Sequence, residues 1–237
     1  MIARPQPLLC ELHAHTRWSD GQLPLREVVD LYGRAGFDVL TITDHAVRSE
    51  DPGPQHVSEA IFGAYLAEVE AEARRARKLY DLLVIPGLEL TYNDPEPALA
   101  AHAVAVGLRS FVGVDDGLEP ALAAAREHGA ALVAAHPNSI ADPGTGHGRT
   151  ARFAAEWREL APAVDRFELI NRHQVYAWVA DAGLPTVASG DFHEPRHLAT
   201  WKTMLPCRKD EGAVIAYLRS RRPAYLVRLD EPQRIAA

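Results

Sequence analysis

The chain has 237 residues, of which 47% are hydrophobic and 24% charged, an ordinary globular composition that excludes a disordered tail protein. Its 25 Lys and Arg against 32 Asp and Glu leave a formal charge of −7. No global positive field gathers nucleic acid or anionic lipid, so any phosphate must be met by a local positive site.

Apolar runs alternate with helical patterns along the chain. A strand over 8–13 leads to a helix over 25–35, opened by Pro24 and closed by Gly36. A strand over 38–43 precedes a long helix over 58–80, whose Glu68, Glu70, Glu72, Arg74, Arg75, Arg77 and Lys78 mark a solvated face. Strands over 82–88 and 101–107 follow, then a helix over 119–128 ended by Gly129 and a strand over 130–135. A helix over 151–160, a strand over 166–170, a helix over 173–182 ended by Gly183 and a strand over 184–189 continue the alternation. The tail adds a strand at 201–205, a short helix near 211–219 and a strand at 224–228, which close a barrel or pack on it. Continuous Val, Leu, Ile and Ala runs fit strands buried on both faces of a parallel sheet. The alternation predicts an α/β architecture, open or closed into a barrel. No linker, composition break or repeat divides the chain, so a single domain over 1–237 is expected.

Cys10 and Cys207 are too few for a disulfide framework and point to a reducing compartment. No apolar run nears the roughly 18 residues of a membrane span, and residues 1–9 carry no apolar signal core. The expected location is the cytoplasm, with no membrane and no partner protein implied.

The 11 histidines carry the functional signal. His13 and His15 end the first strand, with Asp20 shortly after; Asp44 and His45 end the second, Glu89 the third, His136 the fifth, and Asp191 and His193 the seventh. His102 falls at the start of the fourth, so either that strand begins earlier or it runs against its neighbours. In parallel α/β folds, sites gather at the carboxyl ends of strands. The His13-x-His15 spacing puts two imidazoles on one strand face with Ala14 turned away, and Asp191-x-His193 repeats the device. One such pair is a weak signal. Six histidines and three carboxylates at strand ends point to a metal site.

The segments ELHAHTRWSDG (11–21), TITDH (41–45), PGLEL (86–90), AHAVAVGL (101–108), AAHPN (134–138) and SGDFH (189–193) resemble, in order, the motifs of the polymerase and histidinol phosphatase (PHP) superfamily. The likeness covers residue 8 to about 200. It implies a distorted seven-stranded (β/α)7 barrel with up to three metals at its mouth, and metal-dependent phosphoesterase activity. It assigns His13, His15, Glu89 and Asp191 to one metal, with Glu89 bridging to a second completed by His102 and His136. Asp20, His45 and His193 would hold the third, at a position that varies between His and Asp in the family. The mixed imidazole and carboxylate set suits two or three divalent ions of Mn, Fe or Zn.

Three divalent ions against three carboxylates leave a positive surplus that a hydroxide and a phosphomonoester dianion neutralise, which favours a phosphate substrate. The expected reaction is hydrolysis of a small phosphomonoester or nucleotide by a hydroxide held between the first two metals. His193 or another nearby group would ease departure of the leaving group. Alternatives are a 5′–3′ exonuclease acting on short oligonucleotide ends, a metal-dependent amidohydrolase, and a non-catalytic partner domain stabilised by metal. Arg17, Arg48, Arg149 and Arg172 are candidate phosphate contacts through their planar forks, each of which also reads as a solvated surface arginine. Asn138 and Asn171 contact substrate or cap the next helix. Asp44 and Glu168 orient ligand histidines from behind or serve structure. Cys10, one place off the His13 face, is expected to face the helices.

Overall fold

The computed structural model describes residues 6–51, 55–138 and 150–230. In chain order its strands are β1 (Leu8–Glu11), β2 (Val39–Ile42), β3 (His45–Val47), β4 (Leu83–Tyr92), β5 (Ala101–Val106), β6 (Ala131–Ala135), β7 (Arg166–Asn171), β8 (Gln174–Val175), β9 (Thr186–Ser189), β10 (Trp201–Leu205) and β11 (Tyr225–Arg228). The helices are α1 (Leu25–Arg34), α2 (Glu59–Tyr80), α3 (Leu118–Glu127), α4 (Arg152–Ala155), α5 (Trp157–Leu160), α6 (Ala177–Asp181) and α7 (Glu211–Leu218). The seven strands expected before the tail all form, and β3 and β8 are additions.

Local sequence explains the helices well. In α1, Leu25, Val28, Val29 and Tyr32 recur at helical spacing and are all buried. In α2, Phe62, Tyr65, Val69 and Ala76 are buried while the charged residues stay outside, and Asp81 ends the helix in the left-handed region. Two expected helices differ. Residues 151–160 break into α4 and α5 at Glu156. Residues 173–182 begin as a hairpin, because Asn171 pairs with Gln174 and Arg172 takes a positive φ of 52° between them. No helix among the described residues is long and apolar enough to cross a membrane.

The strands make one mixed sheet in the order β11-β10-β1-β2-β4-β5-β6-β7-β8, with β3 on β4 and β9 on β7. β1, β2 and β4 run parallel, as do β6, β7 and β9, but β5 is antiparallel to both β4 and β6. That reversal accounts for His102. His102, the second residue of β5, lies at the sheet end where β4 and β6 finish.

The distorted (β/α)7 barrel implied by the resemblance is met in part: the fold is mixed α/β, and its strand ladders do not run all the way round. The sheet is curled and open. β10 lies antiparallel on β1 and takes the edge that closure would give to β9. β9 is laddered on β7, and beyond it Phe192 exchanges backbone hydrogen bonds with His13 and His15 at 3.0 and 2.8 Å, while the Thr203 hydroxyl of β10 donates to the Ala188 carbonyl at 2.7 Å.

Two apolar layers flank the sheet. One packs α1, α2 and α3 against Leu40, Ile42, Leu88, Ala103 and Leu132. The other fills the concave side with Leu12, Val39, Ile85, Val104 and Val133, and α7 covers it with Val214, Tyr217 and Leu218. Cys10 belongs to this inner cluster, contrary to the expectation that it faces the helices. The cause is a kink just beyond β1, where the Glu11 carboxylate accepts N–H groups from Leu12 and His13. Counting alternate faces across that kink gives the wrong side.

Candidate metal centre

Glu89 sits within β4, fully buried, with β3 on one side and β5 on the other. His45 is in direct register with it, and His102 pairs with Thr91 across β5. His102 also pairs with Ala135, which brings His136 alongside. The outcome is one carboxylate among five imidazoles. Glu89 Oε2 lies 3.3 Å from His13 Nε2, 3.3 Å from His15 Nε2 and 2.9 Å from His45 Nδ1. Glu89 Oε1 lies 3.1 Å from His102 Nδ1 and 3.0 Å from His136 Nε2.

Asp191 Oδ1 lies 3.7 Å from His13 Nε2, 3.5 Å from His15 Nε2 and 3.2 Å from His193 Nδ1. Asp20 Oδ1 lies 3.5 Å from His45 Nε2 and 3.2 Å from His193 Nε2. All nine residues expected to ligate metal are thus brought together. Three groups of them have donor atoms within 4.8 Å of one another: His13 with Glu89 and His136; His13 with His15 and Asp191; and His15 with Asp20, His45 and His193. His102 joins none of these groups. Its Nδ1 faces Glu89, and its Nε2–H donates to Asn93 Oδ1 at 3.1 Å.

The imidazoles are aimed from behind. His13 Nδ1–H donates to Glu168 Oε1 at 3.0 Å, and Glu168 also accepts the backbone N–H of His136 at 2.6 Å and the Asn171 amide at 2.8 Å. His136 Nδ1 meets the Thr150 hydroxyl at 3.3 Å, and that hydroxyl donates to the His136 carbonyl. His15 Nδ1 meets Ser19 Oγ at 3.4 Å, whose proton goes to Asp44 Oδ1. In all three rings Nδ1 is held and Nε2 points into the cluster, the tautomer a cation needs. Asp44 further accepts the Thr16 N–H at 2.7 Å and its hydroxyl at 2.9 Å, shaping the turn that carries Asp20. Gly21 closes that turn: a Cβ there would lie 2.6 Å from the His15 backbone.

Electrostatics match this geometry. Burial would raise the Glu89 carboxyl, but His45 and His13 hold it well below the ordinary carboxylate range. Burial opposes protonation of His45, yet Glu89 and Asp20 lift it to about 10. Asp191 and Asp20 likewise lift His193 to about 9 against its burial. Burial takes His102 down to about 4. His15, buried beside His193 and His45, is lowered as well. Among the described residues, His13 Nε2, His15 Nε2 and Glu89 Oε2 are buried without a hydrogen bond of acceptable geometry. Buried polar atoms are normally satisfied, and this donor set, imidazole nitrogen with carboxylate oxygen, fits a divalent transition metal. His136 and Asp191 take positive φ values of 28° and 44°, a strain of about 1–3 kcal/mol each that tends to concentrate at functional sites.

The candidate substrate contacts divide. Arg17 is exposed, and its Nε–H donates to the Gln22 carbonyl. Arg48 pairs with Asp51 at 2.7 Å and lies over the Tyr92 ring. Arg172 is buried, donates to the Asp191 carbonyl through Nε and Nη2, and lies 3.4 Å from Asp191 Oδ2. It braces Asp191 where a phosphate contact was expected. Asn138 is half-buried just past His136. Arg149 lies outside the described residues. Sequence reasoning missed Ser19, Thr91, Asn93 and Thr150. Thr91, whose hydroxyl lies 2.8 Å from His45 Nδ1, had a signal: it sits two residues from Glu89 on the same strand face.

No protein-family model and no curated protein matches the sequence. Among solved structures, a Bacteroides vulgatus two-domain protein described as containing a predicted PHP-like metal-dependent phosphoesterase is similar at 20% identity and a TM-score of 0.68, covering 96% of this chain and 66% of that one. The chain therefore spans slightly under two thirds of that protein. PsfC from Pseudomonas syringae PB-5123 is similar at 17% identity and a TM-score of 0.60, covering 94% and 91%. An amidohydrolase from Chromobacterium violaceum, solved with sulfate and no metal, is similar at 17% identity and a TM-score of 0.57, covering 92% and 97%. At these identities the likeness is one of fold: the chain shares the fold of a PHP-like metal-dependent phosphoesterase.

Proposed function

We propose that the chain is a PHP-type, metal-dependent phosphoesterase that hydrolyses a small phosphomonoester or nucleotide in the cytoplasm, without a partner protein. The observation that carries this reading is Glu89, one buried carboxylate with five imidazole nitrogens between 2.9 and 3.3 Å. In this reading His13, His15 and Asp191 would hold one cation and His102 and His136 a second, with Glu89 serving both, and Asp20, His45 and His193 would hold a third. The seven strands β1, β2, β4, β5, β6, β7 and β9 then count as the distorted (β/α)7 frame. Divalent ions of Mn, Fe or Zn would supply Lewis acidity and bring the pKa of water to about 7.

The protein's own groups set direction and charge. The Asp20 side chain is 26% exposed while His13, His15, Glu89 and Asp191 are at or near zero, so substrate approaches from the side of Asp20, His45 and His193. Arg17, exposed on the same loop, remains available to substrate oxygens through its fork. His193 Nδ1 lies 3.0 Å from the Asp191 carbonyl oxygen. A proton passed to a leaving oxygen by His193 therefore departs from Nε2, and His193 donates only when that nitrogen is not a ligand.

The test is phosphate release from p-nitrophenyl phosphate and nucleoside monophosphates by purified protein supplied with Mn²⁺, Fe²⁺ or Zn²⁺, and its loss on chelation. Silence across all three metals and both substrate classes refutes the reading. Preference for 5′-phosphorylated oligonucleotides over mononucleotides replaces it with the exonuclease. The fold shared with an amidohydrolase favours a second reading, amide hydrolysis, which N-acyl amino acids test in the same preparation. Metal uptake without turnover on any of these substrates leaves a metal-stabilised partner domain.

A further inference from the structure

Beneath the histidine cluster lies a fully buried ion pair. Lys202 Nζ, on β10, is 2.7 Å from Glu11 Oε2, at the end of β1. Every polar atom of the pair is employed. Glu11 Oε1 accepts N–H groups from Leu12, His13 and Gly190 at 3.1, 3.3 and 2.9 Å, while Oε2 also accepts the Tyr32 hydroxyl at 2.8 Å. Lys202 Nζ donates further to the His197 carbonyl at 3.0 Å and to Thr200 Oγ1 at 2.8 Å. His197 Nδ1 in turn accepts the backbone N–H of His193 at 3.1 Å. The pair therefore touches the backbone on both arms of the cluster. One arm leaves β1 with His13 and His15; the other leaves β9 through Gly190 with Asp191 and His193. Gly190 is fitted to it: a Cβ there would lie 2.0 Å from Lys202 Nζ and 2.4 Å from Glu11 Oε2.

We infer that the Glu11–Lys202 pair is a positioning device for the metal centre, locking the His13–His15 arm to the Asp191–His193 arm. The inference rests on the metal-centre reading above. Stability alone is a poor reason for such a pair, because exchanging a buried ion pair for neutral groups of similar volume is often neutral or stabilising. What an apolar pair does not offer is an acceptor and a donor that reach both arms at once. Groups behind metal ligands typically govern 10- to 100-fold in affinity.

The experiment compares wild type, Lys202→Met and Glu11→Gln/Lys202→Met by Mn²⁺ titration, Co²⁺ absorption and thermal melting. Lys202→Met strands a buried carboxylate, so both melting temperature and Mn²⁺ affinity fall. Adding Glu11→Gln removes that stranded charge and restores the melting temperature. It does not restore the link to the His197 turn, so affinity stays about 10-fold weak and the Co²⁺ spectrum stays altered. A folded double variant with wild-type Mn²⁺ affinity overturns the positioning role and leaves the metal reading standing; a wild type that binds no metal overturns both. If neither Lys202 variant folds, Tyr32→Phe, which removes one hydrogen bond from Glu11, decides the matter. A two- to five-fold loss of Mn²⁺ affinity supports the role, and an unchanged affinity overturns it.

Discussion

Glu89→Gln is the sharpest perturbation the site offers, because it removes one charge and almost no volume. The carboxylate is fully buried and faces five imidazole nitrogens within 3.3 Å, so water cannot stand in for it. A unit charge pair about 4 Å apart at an effective dielectric constant of about 20 is worth about 4 kcal/mol. A divalent cation doubles the Coulomb part, and easier desolvation of the neutral amide returns a share. A net loss of about 4 kcal/mol corresponds to about three decades in metal affinity. The metal-free variant stays folded, since His45, which Glu89 and Asp20 hold up against its burial, can shed its proton rather than remain a stranded charge. The assay is a Mn²⁺ titration followed by the resonance of free Mn²⁺, with near-ultraviolet circular dichroism as the check on folding. A folded Glu89→Gln protein that binds Mn²⁺ within threefold of wild type would show that Glu89 does not join two cations.

Removing the metals makes stability depend on pH in a defined direction. His45 and His193 are raised from 6.5 to about 10 and about 9 in the folded chain, so the stability they contribute is whole below pH 6.5 and is lost as pH rises through those values. Chelated protein should therefore melt at falling temperature between pH 7 and 10 while the loaded protein does not, and equal slopes contradict the assignment. By the same linkage, Mn²⁺ binding at pH 7.5 should release protons, measurable as a dependence of binding heat on buffer ionisation enthalpy. Gly21→Ala drives a methyl to within 2.6 Å of the His15 backbone and should cost metal at the Asp20–His45–His193 group, read as lower metal content per chain after dialysis. Arg166, buried where β7 starts, donates to the carbonyls of Leu218, Tyr217, Ser220, Arg222 and Thr186. Arg166→Met should cost about 3 kcal/mol in denaturant unfolding and leave Mn²⁺ affinity unchanged, because four of those five bonds secure the end of α7 and the fifth reaches only the start of β9, away from the cluster.

The residues of the histidine and carboxylate cluster were legible because metal chemistry needs particular residue types and because strand ends in an α/β fold converge. His13-x-His15 faces one way on either side of Ala14, and Asp191-x-His193 obeys the same rule. The architecture around them was less legible, for identifiable reasons. An apolar run such as β5 has no direction of its own, but only eight residues separate Tyr92 from Ala101, and a parallel crossover takes a dozen or more. That spacing points to an antiparallel β5 and places His102 without any further information. Cys10 was misassigned because the Glu11 carboxylate takes the Leu12 and His13 N–H groups, turning two consecutive residues inward, and such a kink has no signature in residue type. Lys202 is harder still. In Trp201–Leu205 it reads as a lysine guarding an exposed edge, and only the antiparallel docking of β10 on β1 brings it to Glu11. Histidine and carboxylate pairs at strand ends announce themselves, whereas the groups that hold them in place depend on which strands become neighbours, a property of the whole sheet that no single segment encodes.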